Sequence, residues 1–173
     1  MCDTGYTVRD LAADLRQLRA RGLDEPAMLR EASELVKRLL LMKHNWLRTY
    51  MTTPGDGGLM RYVLHEEPDH SNALFVVTAS PGRGGPPHDH GTWAVIAGLE
   101  GHETHQRWQR VGAEEAQSLG AAERIDAGAI VTLGKDTVHS MSNDSGAMAV
   151  TLQLYGTNID FTQHRTYNPR RPS

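Results

Sequence analysis

The sequence of this 173-residue chain predicts an all-β protein, a small sandwich or barrel with α-helices packed on its outside. Helical periodicity is confined to the first quarter of the chain. From about residue 59 onward, Gly and Pro become frequent and short apolar stretches alternate with turns, which is typical of β-sandwiches and barrels. We therefore predict one domain, residues 1–173, with N-terminal helices (1–50), a β-barrel (58–160) and a C-terminal tail (161–173).

Two amphipathic helices are predicted, at roughly 7–21 and 25–47. The first is indicated by apolar residues at three- and four-residue steps: Val8, Leu11, Leu15 and Leu18. The second begins after Asp24, a good N-cap residue, with Pro26 in its first turn. Because helix stability comes mostly from packing an apolar face, we expect both helices to cover one side of the β-structure.

Eight short strands are predicted after a Gly-rich joint at 52–58. Each is a short apolar stretch bounded by turn residues. They are placed at 59–64, 73–79, 92–98, 101–110, 123–125, 129–133, 138–141 and 147–155. Residues 168–173 are expected to form a surface tail.

Composition excludes several classes of partner. The formal net charge of −3 argues against nucleic acid, because phosphate binding needs a basic surface. No apolar run approaches the ~20 residues that cross a bilayer, and the N-terminus lacks the pattern of a secretory signal. The single cysteine, Cys2, excludes an internal disulfide and a zinc-binding thiolate cluster. We expect a cytoplasmic protein without membrane or nucleic-acid partners, and its oligomeric state stays open.

Three of the nine histidines stand in a pattern that suits metal binding. His88 and His90 flank Asp89, and in an extended segment residues i and i+2 point to the same side. Both imidazoles can therefore face one ion. His139 follows a turn at 134–136 and returns on the next predicted strand, where it can supply a third nitrogen. Neutral imidazole suits iron, nickel, copper and zinc, so the spacing alone leaves the metal open.

The two histidine segments resemble the two motifs of the cupin superfamily. Its first motif, G-x5-H-x-H-x3,4-E-x6-G, is matched by Gly82, His88, His90 and Gly101. Its second motif, G-x5-P-x-G-x2-H-x3-N, is matched by Gly128, His139 and Asn143. The resemblance covers roughly residues 60–160 and implies a double-stranded β-helix (jelly-roll) barrel with a metal in its mouth.

The first motif departs from the cupin pattern at its glutamate. That position falls on Ala94 or Val95, and neither side chain can bind a metal. The second motif departs at 134 and 136, where Gly and Asp replace Pro and Gly. The expected site therefore has three neutral histidine ligands and no carboxylate, which favours an anionic, chelating substrate such as a thiolate.

The stretch from His88 to Gly101 looks like that of the thiol dioxygenases, in particular their bacterial branch, in which H-D-H precedes a tryptophan, here Trp93. The S-x-H-x-Y-G segment of that family reads T-L-Q-L-Y-G at 151–156. The resemblance implies a catalytic set of Tyr155, Gln153 and Thr151 on one strand face. The Tyr155 hydroxyl would approach the substrate. Gln153 replaces the family's histidine and cannot change charge near neutral pH.

The substrate carboxylate of such an enzyme requires a cation. Animal members use an arginine early in the barrel, near a Y-x-R pattern; Tyr62 begins no such pattern here, and Arg61 has the opposite strand parity. Members specific for 3-mercaptopropionate use an arginine after the tyrosine, and Arg165 is the nearest candidate. Arg165 and Trp93 are therefore the predicted substrate-binding residues.

The resemblance implies an iron(II) enzyme that adds both atoms of O2 to the sulfur of a small thiol carboxylate, of the 3-mercaptopropionate or L-cysteine type, to give a sulfinate. Two alternatives stay open. Another metal-dependent cupin enzyme, such as an isomerase or a carbon–carbon-cleaving dioxygenase, could use the same three histidines. A non-catalytic cupin binding module could also contain them.

Overall fold

The computed structural model describes residues 5–50 and 58–170 of the chain. Helices come first: α1 (Val8–Ala20), α2 (Glu25–Leu41) and α3 (Lys43–Tyr50). The strands that follow in the described part are β1 (Leu59–Glu66), β2 (Ser71–Ala79), β3 (Ala94–Glu100), β4 (His102–Arg110), β5 (Glu115–Asp126), β6 (Ile130–Leu133), β7 (Val138–Ser142), β8 (Ala149–Thr157) and β9 (Asn168–Arg170). A turn of 3-10 helix, Ile159–Phe161, lies between β8 and β9.

The strands form two sheets. Their orders are β1-β2-β8-β3-β6 and β7-β4-β5-β9. Neighbouring strands are antiparallel, except that β9 runs parallel to β5. This confirms the predicted all-β architecture with α-helices on its outside.

The five-stranded sheet buries both of its faces, in different cores. On β2, Leu74 and Val76 pack with helices α1 and α2, whereas Phe75 and Val77 belong to the interior core between the sheets. This division follows from the two-residue period of a strand. Strand β8 alternates in the same way, and its Tyr155 lies on the interior side. The helices therefore shield one face and leave the other to build the barrel interior.

The starts of both predicted helices are confirmed. Thr7 caps α1 in a capping box with Asp10, and the Asp24 side chain accepts from the backbone of Ala27 at the start of α2. These bonds satisfy backbone donors that a helix start otherwise leaves free.

The prediction of one continuous helix over 25–47 is wrong, because the chain breaks at Met42 between α2 and α3. The break folds Trp46 back so that its indole N–H donates to the Leu39 carbonyl at 3.2 Å. The Leu39 carbonyl also accepts from the Met42 backbone N–H, so the indole is its second donor at the end of α2.

Two strands differ from prediction. The predicted strand at 123–125 is only the end of β5 (Glu115–Asp126), whose residues are exposed apart from Ala116 and Ile125. A strand with so little buried surface carries no apolar pattern, and this is why most of it was missed. The segment after 160, predicted as a tail, contributes the buried Tyr167 and the short strand β9, which pairs with β5. Strand β9 itself is exposed.

Candidate metal centre

Two segments bring the three predicted histidines together. His88 and His90 lie on the connection between β2 and β3, and His139 lies on β7. The backbones of His88 and His139 exchange two hydrogen bonds, of 2.8 Å and 2.9 Å. The Nε2 atom of His90 lies 3.2 Å from that of His88 and 3.4 Å from that of His139. Three ring nitrogens thus converge on one point.

This spacing fits a single metal ion. Metal–imidazole bonds of about 2.0–2.1 Å place neighbouring ligand nitrogens roughly 3.0–3.4 Å apart. The Nδ1–H group of His88 donates to the Pro86 carbonyl at 2.8 Å, which leaves the lone pair of Nε2 free for a metal. Within 5–50 and 58–170, these histidines are the one group of three or more potential ligands whose atoms lie within 4.8 Å of one another.

The three imidazoles are held in the neutral form that binds metals. Burial, with smaller contributions from the rings of His88 and His164, lowers the pKa of His90 to about 3. Burial likewise holds the pKa of His139 well below its usual value. It also lowers the pKa of His88, although the Pro86 carbonyl opposes that shift. Near neutral pH, therefore, protons compete little with a metal for these nitrogens.

No carboxylate of the described residues joins this group of ligands. The two positions at which the motif would place its glutamate, Ala94 and Val95, are fully buried and apolar. A divalent ion at this site would therefore receive no negative charge from its direct protein ligands.

Asp89, between two of the ligands, is engaged elsewhere. Its side chain is buried and accepts hydrogen bonds from three donors: the Tyr167 hydroxyl at 2.6 Å, Arg110 Nη2 at 2.7 Å and the Arg165 backbone N–H at 3.1 Å. Because the neighbours of Asp89 point to the opposite side, this network anchors the segment that carries both ligands. It also explains why Tyr167 is buried.

The predicted catalytic residues of β8 form one hydrogen-bonded chain. The Tyr155 hydroxyl donates to Gln153 Oε1 at 2.5 Å, and Gln153 Nε2 donates to Thr151 Oγ1 at 3.1 Å. Burial raises the pKa of the Tyr155 phenol, which stays neutral at physiological pH. The ring of Tyr155 lies 5.0 Å from that of His90, centroid to centroid. The chain thus begins beside the three histidines.

A cavity of about 550 Å³ opens onto this group. All three histidines line it, together with Gln153 and Tyr155, whereas Thr151 lies behind them, outside the lining. A cavity of this size accommodates a small organic molecule.

The structure does not bring Arg165 into this cavity. Its side chain is exposed and is absent from the lining, although its backbone bonds Asp89. The arginine that lines the cavity is Arg61, on β1. Arg61 pairs with Val77, a residue of the interior core, whereas Tyr62 packs on the helix side. Successive residues of a strand point to opposite faces, so Arg61 points to the interior because its neighbour Tyr62 points to the helices.

Trp93 also lies outside the cavity lining. It packs against the core between the sheet and the helices. Its indole covers Gly156 so closely that a Cβ atom on that glycine would lie 2.4 Å from the indole nitrogen. The structure therefore gives Trp93 a packing contact and no contact with the predicted substrate space.

Comparison with solved structures shows the fold. One match is an uncharacterized conserved protein with a double-stranded β-helix domain from Klebsiella pneumoniae, with 17% identity, a TM-score of 0.54, and coverage of 70% of this chain and 94% of that one. A structure of oxalate oxidase matches with 14% identity and a TM-score of 0.51, over 73% of this chain and 67% of that one. No protein-family model matches the chain.

These likenesses confirm the predicted double-stranded β-helix. At such low identity they show the fold alone. Among the described residues, no helix is long and apolar enough to cross a membrane.

Proposed function

We propose that this protein is an iron(II)-dependent thiol dioxygenase that converts a small thiol carboxylate, of the 3-mercaptopropionate or L-cysteine type, to its sulfinate. The observation that carries the proposal is the shared cavity, which three neutral histidines, a buried tyrosine and an arginine all line. The sequence resemblance at 88–101 and 151–156 supports the same reaction.

Charge favours an anionic substrate at this centre. His88, His90 and His139 would hold the ion as neutral ligands, so its charge is left for an incoming anion to balance. Bound iron(II) would supply a Lewis acid and a template that holds the thiolate sulfur next to dioxygen. Dioxygen takes up all the electrons that the sulfur gives up, and both oxygen atoms end on sulfur, so no further reductant is required.

Arg61 is the proposed partner of the substrate carboxylate. Its Nη2 atom bonds both oxygens of Asp160, at 2.8 Å and 2.9 Å, which holds the side chain in place. The guanidinium has further N–H donors, and its planar fork suits a carboxylate. Arg61 thus takes the role that the sequence resemblance implies for Arg165.

Tyr155 is the proposed donor to the bound substrate or to dioxygen. In the structure its hydroxyl proton points to Gln153. Turning the Gln153 amide over would reverse this short chain: Nε2 would donate to the Tyr155 oxygen, and Oε1 would accept from Thr151. The phenol proton would then be free for the cavity. Gln153 can thus orient Tyr155 in either direction without a change of charge.

Oxygen uptake tests the proposal. The protein, loaded anaerobically with iron(II), is supplied with 3-mercaptopropionate, L-cysteine, mercaptosuccinate and cysteamine, and the product is identified as sulfinate by mass spectrometry. We expect uptake with at least one thiol carboxylate and a weaker response to cysteamine, which has no carboxylate for Arg61. If no thiol in this panel drives oxygen uptake, the assignment is wrong.

A parallel panel separates the alternatives. A different metal-dependent cupin enzyme predicts turnover of a non-thiol substrate, such as oxalate or a sugar, by the same loaded protein. A binding module predicts no turnover and no change in the spectrum of an iron–nitric oxide probe when thiols are added. The His139→Ala variant is the control, because it removes a proposed metal ligand from β7.

A further inference from the structure

A buried glutamate–histidine pair, which the proposed reaction does not use, lies behind the metal ligands. Glu103 and His105 are two residues apart on β4, with side chains 0% and 2% exposed. The Nε2–H group of His105 donates to Glu103 Oε2 at 3.1 Å. A carboxylate without solvent contact is costly unless it has charged or hydrogen-bonded partners, so its presence in the interior requires an explanation.

The pair leaves polar atoms free next to His139. Glu103 Oε1, His105 Nδ1 and His139 Nδ1 are buried and have no hydrogen-bond partner among the residues that the structure describes. The rings of His105 and His139 are in contact, with centroids 5.3 Å apart and planes inclined at 41°. Two of the free nitrogens therefore belong to neighbouring rings.

The tautomers of these two rings are complementary. Binding a metal through Nε2 leaves the proton of His139 on Nδ1, which is then a buried donor in need of an acceptor. The hydrogen bond to Glu103 places the proton of His105 on Nε2, so its Nδ1 is a buried acceptor in need of a donor. No direct hydrogen bond joins the two atoms in the structure, but one buried water between them would satisfy both.

We propose that Glu103 and His105 are positioning residues for the metal centre, which hold His139 in its metal-binding tautomer and supply the negative charge that the ligand set lacks. The hydrogen bonds would run from His139 through a bridging water to His105, and from His105 to Glu103. A partner of this kind orients a ligand and makes it more basic. The inference rests on the proposed metal site and deepens it.

The consequences for the bound metal follow from charge. A carboxylate behind the ligand stabilises a more positive ion more strongly, so Glu103 would favour the oxidised form of iron relative to the reduced form. Losing the acceptor on His105 would leave the Nδ1–H group of His139 unpaired, and metal affinity would fall. Both effects are properties of metal binding and can be measured without turnover.

Four variants test the assignment. Glu103→Gln removes the charge but keeps an acceptor for His105, and His105→Phe removes the acceptor for His139. His105→Gln retains an amide oxygen that can accept. His102→Gln is the matched control, because it removes a partly exposed histidine of the same strand that lies 3.8 Å from Asp144. The probes are cobalt(II) affinity, by chelator competition, and the iron(III)/iron(II) reduction potential.

We expect His105→Phe to weaken cobalt(II) binding roughly 10–100-fold, with His105→Gln between this variant and the wild type. Glu103→Gln should raise the reduction potential, and His102→Gln should change neither quantity. If His105→Phe does not fold, the two Gln variants decide, since each keeps a polar side chain of similar volume.

Two failures are distinguishable. Wild-type affinity and an unchanged potential in folded Glu103→Gln and His105→Gln would overturn the role of the pair but leave the metal site intact. Absence of cobalt(II) and iron binding by the wild-type protein would overturn the metal site and, with it, this inference.

Discussion

Two buried carboxylates lie near the same three histidines, and they differ in how fully they are hydrogen-bonded. Asp89 receives three donors, from Tyr167, Arg110 and the Arg165 backbone. Glu103 receives one, from His105, and its second oxygen has no partner in the described part of the chain. Asp89, the fully bonded acid, forms with Tyr167 and Arg110 a frame that anchors the segment carrying His88 and His90. The incompletely bonded acid lies beside two ring nitrogens, His105 Nδ1 and His139 Nδ1, that also have no hydrogen-bond partner among the described residues.

The two acids should therefore contribute differently, Asp89 to the stability of the fold and Glu103 to the metal site. A satisfied buried acid is worth most to the fold, because losing it leaves its donors without a partner. A buried acid with one partner contributes little to stability, because its desolvation offsets its attraction. Loss of Asp89 should therefore act mainly on stability, and loss of Glu103 mainly on the metal site.

The largest expected effect is acid destabilisation of the metal-free protein. The folded pKa of His90 is lowered to about 3, below its unfolded value of 6.5. Above about pH 6.5 the His90 imidazole is neutral in both the folded and the unfolded chain. Below that, the unfolded chain takes up a proton that folded His90 refuses, so the unfolding free energy falls by up to about 1.4 kcal/mol per pH unit until about pH 3.

Urea unfolding of chelator-treated protein between pH 7.5 and pH 4.5 measures this dependence. The His90→Gln variant is the control, since the carboxylates titrate equally in both proteins. We expect the variant to lose less stability than the wild type on acidification. Parallel pH profiles would show that His90 is not held neutral by the fold.

Removing the charge of Asp89 should damage the frame. We expect Asp89→Asn to lower the free energy of unfolding by about 3 kcal/mol, because Tyr167 and Arg110 lose a charged acceptor. Glu103→Gln should change it by less than about 1 kcal/mol. Chemical denaturation of the metal-free variants gives both values. If both variants lose the same free energy of unfolding, the two acids do not differ in their contribution to stability.

The two arginines provide a matched pair in the site. Arg61→Ala should raise KM for a thiol carboxylate about 10–100-fold, as expected from losing a hydrogen bond to a charged group of about 1.5–3 kcal/mol. Arg165→Ala should have little effect, because its side chain is exposed and outside the cavity lining. Steady-state oxygen uptake measures both. A larger effect for Arg165 would return the carboxylate site to the C-terminal segment.

The smallest effect concerns one bond of the frame. Tyr167→Phe removes the hydroxyl that donates to Asp89 at 2.6 Å and keeps the buried ring. We expect a loss of roughly 1.5 kcal/mol in unfolding free energy and no change in metal affinity. Thermal unfolding and chelator competition on the same sample check both parts. A fall in metal affinity would show that frame and site are coupled.

Local sequence rules predicted the features that depend on periodicity. The two-residue period placed His88 and His90 on one side and aligned Thr151, Gln153 and Tyr155 along β8. Apolar periodicity located α1, and cap chemistry at Asp24 located the start of α2. Each of these depends on residues that are close in sequence, so the pattern alone carries the information.

Features that depend on distant contacts were missed. Arg61 was rejected on its parity relative to Tyr62, although only the pairing of β1 with β2 shows which parity faces the interior. Glu103 and His105 fall in a polar stretch of β4, and only the tertiary packing of that strand buries them. Tyr167 looked like part of a tail, since its partner Asp89 is 78 residues away.

The spectrum of the iron–nitric oxide complex shows whether the three histidines hold an iron that binds thiols. Anaerobic wild-type protein loaded with iron(II) and nitric oxide is measured by electron paramagnetic resonance before and after addition of 3-mercaptopropionate, beside the His139→Ala variant. We expect a signal from one iron per chain that changes with the thiol and is absent in the variant. A signal that the thiol leaves unchanged, or one that survives in His139→Ala, would contradict a three-histidine centre that binds thiols.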